Sequence, residues 1–192
     1  MINKIIITIL IIIIYIFLIL NNNNIIYIKS NVANFTVIKD NISQHKLILL
    51  EEIISNMYKL KNYLRTNIDK FPEYKEYILL LDNNFNKNRT QIYETNINDN
   101  NITSFSVNKG EELSICLKSK KTGDLHNINL LMYVVIHEMA HFACPEIGHG
   151  PLFQKIFKKF LEEAINIGIY KYENYSKYPQ EYCGINLNSS II

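Results

Sequence analysis

Apolar residues fill positions 5–20 of the chain with only Thr8 interrupting, and Lys4 is the single charged side chain before them. As a helix that run would span roughly 24 Å, a little short of the ~30 Å hydrocarbon core of a bilayer. It is apolar on every face, which a core helix at a chain terminus rarely is. It also exceeds the h-region of a cleaved signal, and no small-x-small site follows it. Residues 1–20 are therefore expected to be an N-terminal, single-pass membrane anchor or signal-anchor, on an undetermined side of the membrane. A cleaved signal peptide and a buried core helix are the alternatives. The Asn-rich stretch that follows is expected to be a linker over 21–42.

The next pattern is helical. Leu47, Leu50, Ile53, Ile54, Met57, Leu60 and Leu64 recur at three- and four-residue spacing, with charges on the opposite face and Ser43 placed to cap the start. After Phe71-Pro72 a shorter helix is predicted, dissolving at Asn83-Asn84. Residues 90–95, 102–107 and 112–118 alternate as strands, and Lys109-Gly110 suits the hairpin turn between the last two. A polar loop then leads to a helix over 130–143, with Asn127 or Asn129 available as its cap. Pro145 ends it and biases Cys144 away from helical geometry. Gly148 and Gly150 bound a tight turn, and Pro151 opens a last helix with Phe153, Ile156, Phe157, Phe160, Leu161 and Ala164 on one face. The predicted fold class is α+β: an N-terminal membrane helix, then helices, a small antiparallel sheet, an active-site helix and a C-terminal helix. The domain is expected over 43–185, with a tail at 186–192.

Composition changes this picture little. A net charge of +2 in 192 residues is too small for a nucleic-acid surface. Cys116, Cys144 and Cys183 form no C-x-x-C pair, and their roles stay open at this point, except that Cys144 reads as a small buried hydrophobe under the turn.

The chemistry lies in "HEMAHFACPEIGHGPLF". His137-Glu138-Met139-Ala140-His141 is H-E-x-x-H, and on a helix residues i and i+4 carry both imidazoles to one point. Glu138 is turned about 100° from His137, beside a metal there but not bound to it. His149, delivered between two glycines after the reversal, would complete three nitrogen ligands and leave a fourth position open, the donor count of a catalytic zinc site. The expected ligands of Zn2+ are thus His137, His141 and His149, with Glu138 activating the zinc-bound water as general base. Glu146 is the alternative third ligand. Tyr133, Tyr175, Tyr178 and Tyr182 are candidates for packing or for an oxyanion donor. His45 and His126 are expected at the surface, and the lysines of 118–121 in a solvated loop.

"HEMAH…GHGPLF" resembles the SprT/Spartan-type zinc metallopeptidases, where the H-E-x-x-H helix is followed by a G-H-G-P-x-F segment. It is also similar to the WLM peptidases and, over about 105–184, to small metallopeptidase-like proteins of large DNA viruses. The resemblance implies the same ligands and base. The connector "FACPEI" is shorter than in Spartan-type enzymes and no basic tail is present, so a DNA–protein crosslink role is not carried over. The expected function is zinc-dependent peptide-bond hydrolysis, with a protein or peptide substrate extended along the strand at 114–118 and the membrane as second partner. The rival is a non-catalytic, zinc-stabilised, membrane-anchored interaction module, which a fourth ligand such as Cys144 or Cys183 would favour.

Overall fold

A computed structural model describes residues 7, 10–14, 25–29, 33–98 and 102–192 of the chain. A five-stranded sheet carries a helical layer on one face. Strands β1 (Ile25–Lys29), β2 (Asn34–Ile38), β3 (Gln91–Glu94), β4 (Phe105–Val107) and β5 (Glu112–Ile115) lie in the order β1-β2-β3-β5-β4. β1–β2 and β4–β5 are antiparallel, whereas β2–β3 and β3–β5 run parallel. The sheet is therefore mixed, not the small antiparallel sheet the sequence suggested. Parallel pairing needs a long crossover, and α1 (Ser43–Thr66) and α2 (Lys75–Asn84) supply it between β2 and β3. In register, Phe35, Ile92 and Leu113 pair across three strands and are buried together.

Helix α1 buries Leu50, Ile53, Ile54, Met57, Leu60 and Leu64, the apolar stripe its periodicity predicts. Ser43 is its first residue; its hydroxyl donates to the Asp40 carbonyl at 2.7 Å and accepts from the Asp40 amide at 2.6 Å. Lys46, fully buried on this helix, donates to Glu94 at 2.8 Å and to the Ile38 carbonyl, fastening α1 to β2 and β3. A buried ammonium without such partners would be far costlier than the pair.

Helix α3 (Ile128–Ala143) starts on Asn127, whose Oδ1 accepts from the Leu130 amide at 2.8 Å. It packs against α1, α2 and α4 (Pro151–Asn166) and reaches β4. From Leu130 to Ala143 every residue but His137 and His141 is buried. A helix apolar on nearly all faces belongs inside, and its one open line carries the two histidines. The C-terminal hairpin β6 (Gln180–Tyr182) and β7 (Ile185–Leu187) folds back over the cleft.

Four further expectations are corrected. The single-pass anchor over 1–20 is overturned: among the described residues no helix is long and apolar enough to cross a membrane. Ile7 and residues 10–14 are helical; the remainder of that expectation lies outside the described residues. The membrane localisation falls with it. The linker over 21–42 contains β1 and β2, which are built into the sheet by the Ile25↔Ile38 and Phe35↔Ile92 pairings. The tail at 186–192 begins inside β7, and Ile191 and Ile192 pack against the core.

Candidate metal centre

His137 and His141 project from adjacent turns of α3. The helix ends at Cys144, whose extended backbone (φ −82°, ψ 124°) is what a following proline requires. The chain then reverses through Pro145–Gly150. Gly148 takes φ +85°, a left-handed conformation that glycine adopts without a Cβ penalty, and Pro151 sits at the first position of α4. His149 is thereby set opposite the α3 pair.

The three Nε2 atoms stand 3.2 Å (His137–His141), 3.1 Å (His141–His149) and 3.0 Å (His137–His149) apart. Tetrahedral coordination at 2.0–2.1 Å asks for nitrogens roughly 3.3 Å apart, so the donor set fits zinc. These are the metal-capable His/Cys/Asp/Glu residues that cluster among the described residues. Glu146 does not join them, and its side chain is exposed. The Phe153 ring stacks on His141 at 4.2 Å and lies edge-on to His137 at 4.9 Å, which gives the "GPLF" phenylalanine its purpose: it holds two rings in orientation. Burial, with the neighbouring imidazoles adding to it, depresses the His137 pKa to about 3; burial, His149 and Lys109 depress His141 to about 4. Both therefore stay neutral, the form that binds metal.

Glu138 is buried beside the histidines. Burial pushes its carboxyl up to about 7, against a hydrogen bond from Ser106 that pulls it down. The Ser106 hydroxyl donates to Oε2 at 2.8 Å from β4. Together these residues line a cleft of about 790 Å³, with Val134, Ile147, Ile185 and Leu187 as apolar walls.

Of the tyrosines, Tyr182 reaches the cleft and its hydroxyl bonds Ser104. Tyr133 also borders the cleft but is packed among Phe157, Tyr170 and Tyr175. Tyr175 is fully buried and Tyr178 is exposed. Cys116 and Cys183 form a disulfide across a 67-residue separation, tying the hairpin that carries Tyr182 to the end of β5. Cys144 is free and buried, as expected, and neither it nor Cys183 joins the histidines. His45 is exposed as expected, but His126 is buried: its Nε2 accepts from the Cys183 amide at 3.2 Å and its ring packs on Tyr182. Sequence reasoning missed Ser106 and the disulfide, since neither lies near its partner along the chain. Ser106 had only strand alternation as a signal.

No protein-family model matches the chain. A solved mutant of Wss1 from Saccharomyces cerevisiae shares its fold, with a TM-score of 0.51, 16% identity and coverage of 68% of this chain and 87% of that one. "Uncharacterized protein 136R" of invertebrate iridescent virus 6 is 39% identical over 82 residues, covering 42% of this chain and 44% of that protein. "Uncharacterized protein R325" of Acanthamoeba polyphaga mimivirus is 42% identical over 171 residues, covering 86% of this chain and 84% of its own length. With that identity across most of both proteins, the chain belongs to the same family as the mimivirus protein.

Proposed function

We propose that this protein is a zinc-dependent metalloendopeptidase in which His137, His141 and His149 hold the ion and Glu138 is the general base. The observation that carries the reading is the convergence of three imidazole Nε2 atoms within 3.2 Å of one another in a cleft, with a buried carboxyl beside them. The fold shared with Wss1 supports it. When bound, Zn2+ would supply Lewis-acid polarisation of a peptide carbonyl and lower the pKa of water.

The chain's own residues supply the rest. A carboxyl balanced near neutral pH can take a proton from water and return it to the leaving amine. Ser106 fixes one oxygen of Glu138 and so aims the other. The strand that faces substrate is β4, not the one expected at 114–118: β5 is flanked by β3 and β4, whereas β4 is an edge bordering the cleft. An extended peptide laid along that edge gains main-chain hydrogen bonds with little demand on its sequence. Among the described residues, the rival module reading lacks the fourth protein ligand it needs.

The test uses full-length protein, loaded with zinc and given fluorescein-labelled casein. Cleavage is expected from the wild type, and Glu138→Gln should lower it by about 10²–10⁴-fold with zinc content unchanged. Equal cleavage by both proteins would remove Glu138 from the mechanism, and a wild type that binds no zinc would sink the proposal altogether.

A further inference from the structure

The end of α3 and the turn after it leave carbonyls that no helical amide can satisfy, and side chains from elsewhere in the chain satisfy three of them. Asn84 Nδ2 donates to the Phe142 carbonyl at 2.8 Å. Lys109 Nζ donates to the Cys144 carbonyl at 2.6 Å and to the Glu146 carbonyl at 2.5 Å. Lys109 comes from the β4–β5 turn, 35 and 37 positions earlier in the chain. Its ammonium therefore spans Pro145 and grips both sides of the segment that delivers His149.

The backbone beneath this lysine is held in a costly conformation. Asn108 and Lys109 both have positive φ, +47° and +57°. Two left-handed residues suit a type I′ turn, closed here by the Gly110 amide donating to the Val107 carbonyl at 3.0 Å, but glycine is preferred at the second position; a side chain there costs roughly 1–2 kcal/mol. Glycine instead follows at Gly110, where an added Cβ would lie 2.8 Å from the Asn84 carbonyl oxygen. The same Cβ would lie 3.3 Å from the Phe142 ring, so the turn is pressed against the ends of both α2 and α3, and the strained residue is the one whose side chain reaches the loop. His149 itself is exposed, and Ile147 beside it is 96% exposed. From within α4, Phe153 lies edge-on to the His149 ring at 4.8 Å and Gln154 Nε2 donates to its carbonyl at 3.1 Å; from the sheet side, the two Lys109 bonds restrain the loop that leads to it.

We infer that Lys109 is a positioning residue for the metal centre: it clamps the Cys144–Glu146 backbone and thereby places the His149 imidazole opposite His137 and His141. The inference rests on the zinc reading proposed above. Groups that orient metal ligands from outside the coordination shell typically contribute 10–100-fold in affinity.

The test measures zinc affinity of the full chain by competition with a chromophoric chelator. Lys109→Met keeps the aliphatic stem and removes the donors; it should weaken zinc about tenfold or more. Lys109→Arg, which keeps charge and donors, should recover most of the loss. A double-variant cycle separates positioning from general destabilisation. On a His149→Ala background, Lys109→Met should weaken zinc no further, since the ligand it places is gone. Three results would overturn the inference: affinity in Lys109→Met equal to or tighter than wild type, an equal additional loss in the His149→Ala background, or no recovery with arginine. If Lys109→Met does not fold, the arginine variant and its cycle with His149→Ala decide: tenfold weaker binding despite retained donors would overturn the clamp, and wild-type-like affinity would support it. A wild type that binds no zinc would remove the parent reading as well, so the two failures are told apart by the wild-type titration.

Discussion

Replacing Glu138 by glutamine keeps the shape of the side chain and removes one titration. The carboxyl rises from 4.5 to about 7 because it is buried, despite the Ser106 hydrogen bond. A raised carboxyl pKa means that between those two values the folded chain holds a proton the unfolded chain has released. Stability of the metal-free protein therefore falls as pH rises through this window. At about 1.4 kcal/mol per unit the full cost at pH 8 is on the order of 3 kcal/mol. Glutamine bears none of it and can still accept from Ser106. Metal-free Glu138→Gln should thus melt roughly 6–12 °C above wild type at pH 8, using about 2–4 °C per kcal/mol for a chain of this size. At pH 5 the gap should shrink to well under half of that. The His137 and His141 titrations are common to both proteins and cancel in the difference. Thermal melts in excess chelator at several pH values read it directly. Adding zinc should narrow the gap at pH 8, because a dication favours the carboxylate form. A gap independent of pH, or none, would refute the argument that burial dominates at Glu138.

His149→Ala should weaken zinc as severely as His141→Ala in a chelator competition; full occupancy in His149→Ala would end the three-histidine assignment. Serine at both Cys116 and Cys183 reopens a loop of 67 positions, for which chain entropy gives about 4 kcal/mol. Its urea midpoint should fall well below that of the oxidised wild type, and equal midpoints would mean the thiols are unpaired. Gly110→Ala puts a Cβ 2.8 Å from the Asn84 carbonyl at φ +108°, so a loss of at least about 2 kcal/mol is expected; an unchanged melting temperature would contradict the close packing of that turn.

The parts of this protein legible in its sequence are those whose physics is local. H-E-x-x-H needs only helical spacing, and Pro145, Gly148 and Pro151 punctuate the turn that brings His149 back. The three helices α1, α3 and α4 follow from apolar spacing and their stops. What escaped was set by pairing across distance. β2 is five residues in an Ile- and Asn-rich stretch, and nothing in "NFTVI" announces a parallel partner 57 positions later at Ile92. Without that partner, 21–42 reads as a linker. His126 looked like a surface residue because its burial depends on Tyr182 and Cys183, more than fifty positions away. Ser106 reveals itself as the partner of Glu138 only once β4 lies beside α3.

The three histidines that converge here span thirteen consecutive positions. Closing so short a segment costs an unfolded chain only on the order of 2 kcal/mol of loop entropy. With zinc held as proposed, a denatured molecule would therefore keep part of its grip on the ion, and the stabilisation conferred would be the difference between two affinities, not the whole of the native one. Only the native state adds the distant restraints from the β4–β5 turn. Raising zinc concentration should consequently increase the melting temperature less steeply than the native dissociation constant implies, and the shortfall measures how much of the metal site exists before the protein folds.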